Sequence, residues 1–420
     1  MPTELLQKVR VINPVSNTDR VADVLIEDGY IKLINDTISD IPDDTSIRDC
    51  ASLILGPGLV DLYSHSGEPG FEERETVASL LKAAAAGGFT RVTLLPDTSP
   101  RVDNPAVVAQ LQQLHKTANS SSLPLLNIWG AITKDAKGEK MTELADLKNA
   151  GIVGFADGDA LNNLALVRRV LEYLQPLRKP AAFWCCDRDI CADGIMREGA
   201  NSIQWGLPGN PATSETSAMA ALLELVASTF TPTHIMRVST KRSVELIADA
   251  KAKGLPVTAS TTWMHLLLDT KAVKSYNTGL NLEPPLGNPE DMMALRRGMR
   301  EGILDAIAID HSPFTYEEKT VAFAQAPPGA IGLELALPLL WQLVETGEFT
   351  ALELWKALST NPAECLKQSP SKIEAGEKAE LTLFNPQKKW KVESKNLHSL
   401  SSNTPWLGKE LTGKVVGIWC

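Results

Sequence analysis

The chain is predicted to fold as an α/β protein, a (β/α)8 barrel with a small β domain built from both of its ends. Three observations carry this. Apolar strand-like runs alternate with helix-like runs through the middle of the sequence, the pattern of repeated βα units. Hairpin-like runs stand near both termini. The length of 420 residues exceeds a usual single domain but suits one barrel with a satellite.

Taken in order, Arg10-Val-Ile-Asn-Pro14 and the run Val24–Leu33 read as hairpin strands separated by polar turns. The barrel strands then read as Leu59–His65, Thr90–Leu95, Leu126–Thr133, Val153–Phe155, Ala181–Cys185, His234–Val238, Val257–Thr261 and Ala306–Asp310. A helix is expected after each. The plainest is Ser243–Lys253, where Val244, Ile247, Ala248 and Lys251 recur at helical intervals and Gly254-Leu-Pro256 stops it. Strand-like runs return at Glu380–Phe384, Trp390–Val392 and Lys414–Trp419. The expected division is therefore 1–56 and 366–420 for the small β domain and 57–365 for the barrel. In such a barrel the chemistry sits at the C-terminal ends of the strands.

Composition narrows the function classes. A hydrophobic content of 44% permits a large core. A formal charge of −10 without clustered Lys and Arg argues against nucleic acid as a partner. No run approaches the roughly 18 apolar residues that a membrane helix needs, and Met1-Pro-Thr-Glu-Leu-Leu-Gln7 lacks a basic stretch followed by an apolar one. A soluble, cytoplasmic protein is expected. Six cysteines in this length do not make a secreted disulfide framework. The dense Cys185-Cys-Asp-Arg-Asp-Ile-Cys191 matches no zinc spacing and reads as buried thiols.

The strand that begins at Leu59 is the first to examine for chemistry. Its side chains alternate, so Asp61, Tyr63 and His65 share one face. Further landmarks follow in order. They are Glu68-Pro-Gly-Phe71 with Glu75-Thr76, Ala84-Ala-Ala-Gly-Gly-Phe-Thr90, Gly206-Leu-Pro-Gly209, Val238-Ser-Thr240 and Gly254-Leu-Pro-Val-Thr-Ala259. Asp305-Ala-Ile-Ala-Ile-Asp-His311, Glu317-Glu-Lys319, Gly332-Leu-Glu334 and Ala375-Gly-Glu-Lys-Ala-Glu380 complete the series. With these landmarks the chain resembles the type I dihydroorotases of the amidohydrolase superfamily over essentially its whole length.

The resemblance implies zinc ligands at positions 63, 65, 157, 184, 237 and 310, with His-x-His on the first strand. His65, Asp157 and Asp310 can ligate, whereas Tyr63, Trp184 and Arg237 stand in place of histidines. A His-Asp-Asp remnant could hold one zinc, since catalytic zinc takes three protein ligands and a water. Arg237 argues against it. Its guanidinium stays charged, and a unit charge at ~4 Å interacts with another by about 4 kcal/mol at an effective dielectric of ~20, doubled for a dication. Arg237 is expected instead to pair with Asp157, Asp310 or both, with Trp184 as filler.

The resemblance also implies changes on the substrate side. The family's carboxylate-binding Arg falls at Gly67, and an Asn falls at Asp97. Asn-Pro-Pro-Leu-Arg reads Glu283-Pro-Pro-Leu-Gly287, and a late His falls at Phe314. Lost cations and added carboxylates are expected to disfavour an anionic substrate. His234, His265 and His311 have no complete constellation around them and read as structural.

The expectation is a dihydroorotase-like protein of the pyrimidine-biosynthesis family that has lost hydrolysis, binds no cofactor, and serves as a scaffold. By resemblance the partner is aspartate transcarbamoylase; a homo-oligomer or pairing with an active dihydroorotase is the other expectation. The rival is an active amidohydrolase opening a cyclic amide C–N bond with a rebuilt zinc site of His65, Asp157 and Asp310, in which Asp310 is the general base.

Overall fold

The structure is a computed structural model that describes residues 3–118 and 123–420. Among these residues, one sheet holds eight strands in order along the chain: Leu59–Val60, Phe89–Leu94, Leu125–Gly130, Gly154–Phe155, Ala181–Trp184, Thr233–Met236, Val257–Thr262 and Ala306–Ala308. Every neighbouring pair is parallel. The sheet closes on itself where Asp310 N donates to Tyr63 O at 3.0 Å and His65 N donates to His311 O at 2.8 Å. The expected barrel is present.

Strand periodicity sorts the core into two layers. In the fifth strand Ala181 and Phe183 pack outward with the helices, while Ala182 and Trp184 face inward with Val60, Trp129 and Met236. The first strand ends at Val60, so the alternation expected through Asp61, Tyr63 and His65 does not hold, and Leu62 and Tyr63 both join the inner cluster. The eighth strand repeats the fifth, with Ala306 and Ala308 inward and Ile307 outward. Small alanines across from Trp129, Tyr63 and Trp184 let large rings fill the interior.

The expected helix at Ser243–Lys253 spans Lys241–Ala252. Thr240 accepts a hydrogen bond from Ser243 N at the N-cap, and Gly254 leaves the helix with φ +75°. The predicted strands His234–Val238 and Ala306–Asp310 overshoot the observed ladders, which end at Met236 and Ala308, short of Arg237 and Asp310. Both residues lie in the left-handed region, φ 54° and 52°, so regular pairing stops just before them.

Seven strands from both termini form the second sheet, in the order Glu410–Trp419, Leu381–Lys391, Ile54–Pro57, Glu4–Asn13, Thr18–Glu27, Tyr30–Asn35, with Ser46–Asp49 beside Glu4–Asn13. The two runs expected at Glu380–Phe384 and Trp390–Val392 are one strand, interrupted by a register shift between Asn385 and Lys389. Pro386 sits in that shift, where no ladder donor is needed.

One ion pair joins sheet and barrel. Arg91, on the second barrel strand, donates from Nε and Nη2 to Glu380, each at 2.7 Å, and Thr90 Oγ1 donates to the same carboxylate at 2.7 Å. Both ionic side chains are about 15% exposed. Removing one side of a largely buried pair strands the other charge. Glu380→Ala is expected to lower the unfolding free energy by about 3 kcal/mol, read from urea denaturation. A change under about 0.5 kcal/mol, within the range of ordinary surface substitutions, would show that the linkage is not structural.

Candidate functional site

The C-terminal strand ends surround a cavity of about 270 Å3. Its floor is a chain of alternating charges. Arg237, after the sixth strand, donates to both oxygens of Asp310, Nε to Oδ2 at 2.8 Å and Nη2 to Oδ1 at 2.7 Å. Its third arm, Nη1, donates to Gly158 O at 2.7 Å. His65 lies between two carboxylates, with Nδ1 2.5 Å from Asp97 and Nε2 3.3 Å from Asp310. The sequence runs Asp97, His65, Asp310, Arg237, negative and positive by turns.

His65 Nε2 is also 3.2 Å from Arg237 Nη2. A protonated Nε2 donates to Asp310 and cannot accept from Arg237, whereas a neutral one can. Two flanking carboxylates against one guanidinium favour the proton. Burial disfavours the charged imidazole, but Asp97 and Asp310 outweigh it and raise the His65 pKa to about 9. Burial works against Asp310 as well, yet Arg237 holds its carboxyl well below the ordinary range. The pair sits on left-handed backbone at both residues, a cost that surrounding structure must outweigh.

Asp157 does not join this chain. Its two oxygens accept from Thr133 N at 2.9 Å and Thr133 Oγ1 at 2.5 Å, so the expected Arg237 pairing holds for Asp310 alone. Asp157's neighbour Gly158 supplies its backbone carbonyl to Arg237 in place of the carboxylate. Burial raises the Asp157 pKa to about 6.

Tyr63 and Trp184, expected from the resemblance to stand in place of ligand histidines, have definite partners. Tyr63 is fully buried beneath the cavity floor; its hydroxyl contacts Ser260 Oγ at 3.0 Å and accepts from Arg237 N at 3.0 Å. Trp184 lines the cavity, flanked by the guanidinium carbons of Arg188 at 4.8 Å and Arg237 at 5.3 Å from its ring centroid.

The substrate-side expectations need three corrections. Gly287 is not in the cavity lining: a Cβ there would meet Asp291 Cβ at 2.6 Å and Ser239 O at 3.0 Å. The carboxylates of Asp97 and Glu283 do line the cavity, but each faces a cation, His65 and Arg188 respectively. They therefore do not present the free negative charge expected of them. Gly67 and Phe314 also line the cavity, and Gly67 admits no side chain because a Cβ would lie 1.9 Å from Phe71 O.

Sequence reading missed three cavity cations. Arg74 pairs with Glu318 between the rings of Phe71 and Phe314, Arg188 bridges Asp159 and Glu283, and Arg101 lies near Asp97. Arg188 was hidden in the cysteine-rich run. The cysteines of that run are buried free thiols. His234, His265 and His311 are buried and hydrogen-bonded, to Thr258 and Ser260, to Thr262 and Pro285 O, and to Glu75 and Gly332 N.

Zinc does not fit these donors as they stand. A histidine ligand needs a free lone pair, and both His65 nitrogens face carboxylates. Asp310 has both oxygens on Arg237, and Asp157 is turned to Thr133. Among the described residues no group of three His, Cys, Asp or Glu is arranged to hold a metal ion.

Comparisons place this geometry in a family. Residues 52–243 match a family described as Dihydro-orotase-like and residues 233–420 match the Amidohydrolase family. The chain is 41% identical to a probable dihydroorotase-like protein of Synechocystis sp., covering 99% of each chain. It belongs to the dihydroorotase family. A dihydroorotase of Syntrophus aciditrophicus is 39% identical, over 98% of this chain and 96% of that one. Among solved structures, the L-hydantoinase (dihydropyrimidinase) of Arthrobacter aurescens superposes with a TM-score of 0.84 at 21% identity, covering 99% of this chain and 94% of that one. The dihydropyrimidinase of Brevibacillus agri gives 0.81 at 21% identity, over 99% and 93%. These two show a shared fold. Within this dihydroorotase-family barrel, no helix among the described residues is long and apolar enough to cross a membrane.

Two outcomes follow from the charge chain. Arg237→Ala leaves the Asp310 carboxylate buried without its cation and is expected to cost about 3–5 kcal/mol in urea unfolding; a loss below about 1 kcal/mol means the mouth is wet enough to screen the pair. The second outcome concerns pH. The folded pKa of His65 stands above its ordinary value of about 6.5, so its contribution to stability is complete below that pH and is lost as pH rises through about 9. Wild-type stability relative to His65→Gln is therefore expected to fall across that window, and a flat difference would show that folding does not raise the His65 pKa.

Proposed function

We propose that this dihydroorotase-family protein does not hydrolyse, and that it acts as a scaffold or assembly partner. The observation that carries this is Arg237, bonded to both oxygens of Asp310. In the family resemblance Asp310 is the residue that would take up a proton from the attacking water. Here its carboxylate is a paired anion with its pKa pushed down, a weak base by the Brønsted criterion. No tightly bound zinc is expected, because the donors it would need are engaged with Arg237, Thr133 and each other. Without that ion the site lacks both the Lewis acid and the water activation of metal-assisted hydrolysis.

The resemblance supports aspartate transcarbamoylase as the partner; self-association, or pairing with an active dihydroorotase chain, is the other assembly reading. The retained cavity favours a second reading of the chemistry, a cyclic amidohydrolase with a rebuilt His65, Asp157 and Asp310 site. That reading requires Arg237 to release Asp310 and Asp157 to turn from Thr133.

The test is turnover in both directions, cyclisation of carbamoyl aspartate and opening of dihydroorotate, at saturating substrate with added zinc. Elemental analysis of the same preparation supplies the metal content. The expected result is no rate above background, well under one zinc per chain, and no rescue by Tyr63→His alone, because Trp184 and Arg237 remain. Zinc-dependent turnover by the unmutated chain that Asp310→Ala abolishes would establish the rebuilt enzyme instead. Sedimentation of the chain with and without the transcarbamoylase then tests the partner.

A further inference from the structure

A second cavity, of about 350 Å3, opens among the N-terminal ends of the third, fourth and fifth barrel strands, at the end opposite the charge chain. Three cations line it. Arg178 and Lys179 precede the fifth strand, and Lys367 follows the helix Thr360–Cys365. No Asp or Glu is among the lining residues. This is unusual in a chain of net charge −10, and it contrasts with the mouth, where Arg74, Arg188 and Arg237 each face a carboxylate.

The amides of Gln112, Asn127 and Gln368 are the polar side chains beside the cations. Asn127, 9% exposed at the start of the third strand, has its carbonyl oxygen engaged by Gln368 Nε2 at 3.0 Å. Its Nδ2 is buried without a hydrogen-bond partner. A buried amide donor with no acceptor is costly and calls for an explanation.

We propose that this cavity binds a phosphate-bearing small molecule, with Arg178, Lys179 and Lys367 around the phosphate. A guanidinium fork and ammonium groups match a phosphate's charge and its several acceptor oxygens. The volume falls in the range of small-molecule sites, leaving room for an organic body beside the phosphate. Burial lowers the pKa of Lys179 and of Lys367, and Lys148 lowers that of Lys179 further. A bound anion would relieve all three effects. The sequence concealed the cluster because residues 178–179 and 367 lie far apart in the chain, and the absence of a basic run speaks only against an extended polyanion surface.

The experiment is titration calorimetry of the full chain at low ionic strength with inorganic phosphate, ribose 5-phosphate and, as a neutral comparator, ribose. Saturable binding of ribose 5-phosphate is expected, with none of ribose, and the double variant Lys179→Gln, Lys367→Gln should bind it at least about tenfold more weakly, as loss of more than one charged hydrogen bond implies. Lys271→Gln, an exposed lysine outside the cavity lining, should bind as wild type. Both lysines of the double variant are at least partly exposed, so it should fold, and its circular dichroism and melting curve check this. Inorganic phosphate binding as tightly as the ester supports the site with the free ion as ligand, while a tighter ester supports an organic phosphate. No saturable binding of either phosphate compound, or binding undiminished in the double variant, overturns the proposal.

Discussion

The barrel mouth depends on one guanidinium. Arg237 binds Asp310 through two nitrogens and Gly158 O through the third, so one side chain ties together the C-terminal ends of the fourth, sixth and eighth strands. Through Asp310 it reaches His65 after the first strand, and through His65 it reaches Asp97 after the second. Five of the eight strand ends meet in this connected set. Buried charges survive in low dielectric only when paired and hydrogen-bonded, and here each carboxylate alternates with a cation. The set is neutral without any ion supplied from outside. Two neighbours support the same guanidinium: Tyr63 bonds the backbone of Arg237, and Trp184 lends it a ring face.

Much of the architecture was legible in sequence, for a physical reason. Barrel strands are short apolar runs separated by helices, and their period-two alternation writes the inward and outward layers directly into positions such as Ala182 and Phe183. The location of the Arg237 pair was also legible, because strand order and polarity bring positions 237 and 310 to the same rim. Which carboxylate Arg237 takes was not. That depended on Thr133, whose backbone and hydroxyl claim both oxygens of Asp157. Nothing near Asp157 in the sequence announces a partner that arrives from another loop.

The charge balance of the pocket was misread for the same cause. Counting Asp97 and Glu283 as added negative charge treats each residue as isolated, whereas His65 and Arg188 stand within hydrogen-bonding reach of them. Gly287 was misplaced because a landmark's position in sequence does not say which way the loop turns. Its neighbours are Asp291 and Ser239 rather than the cavity. Side-chain pairing and loop direction are tertiary facts, and residue type alone carries little about either.

Family membership and site chemistry rest on different residues. Identity of 41% over 99% of the chain shows the family, and an overall identity does not say what holds the rim together. A dication or a guanidinium can each neutralise carboxylates at a strand end, but only the dication offers a vacant coordination position for water. Arg237 keeps the electrostatic role and has no site for the chemical one. The fold can therefore persist while the reaction does not, and a fold shared with hydantoinases or dihydroorotases does not by itself assign an activity. That question turns on the site, where Arg237 binds both oxygens of Asp310.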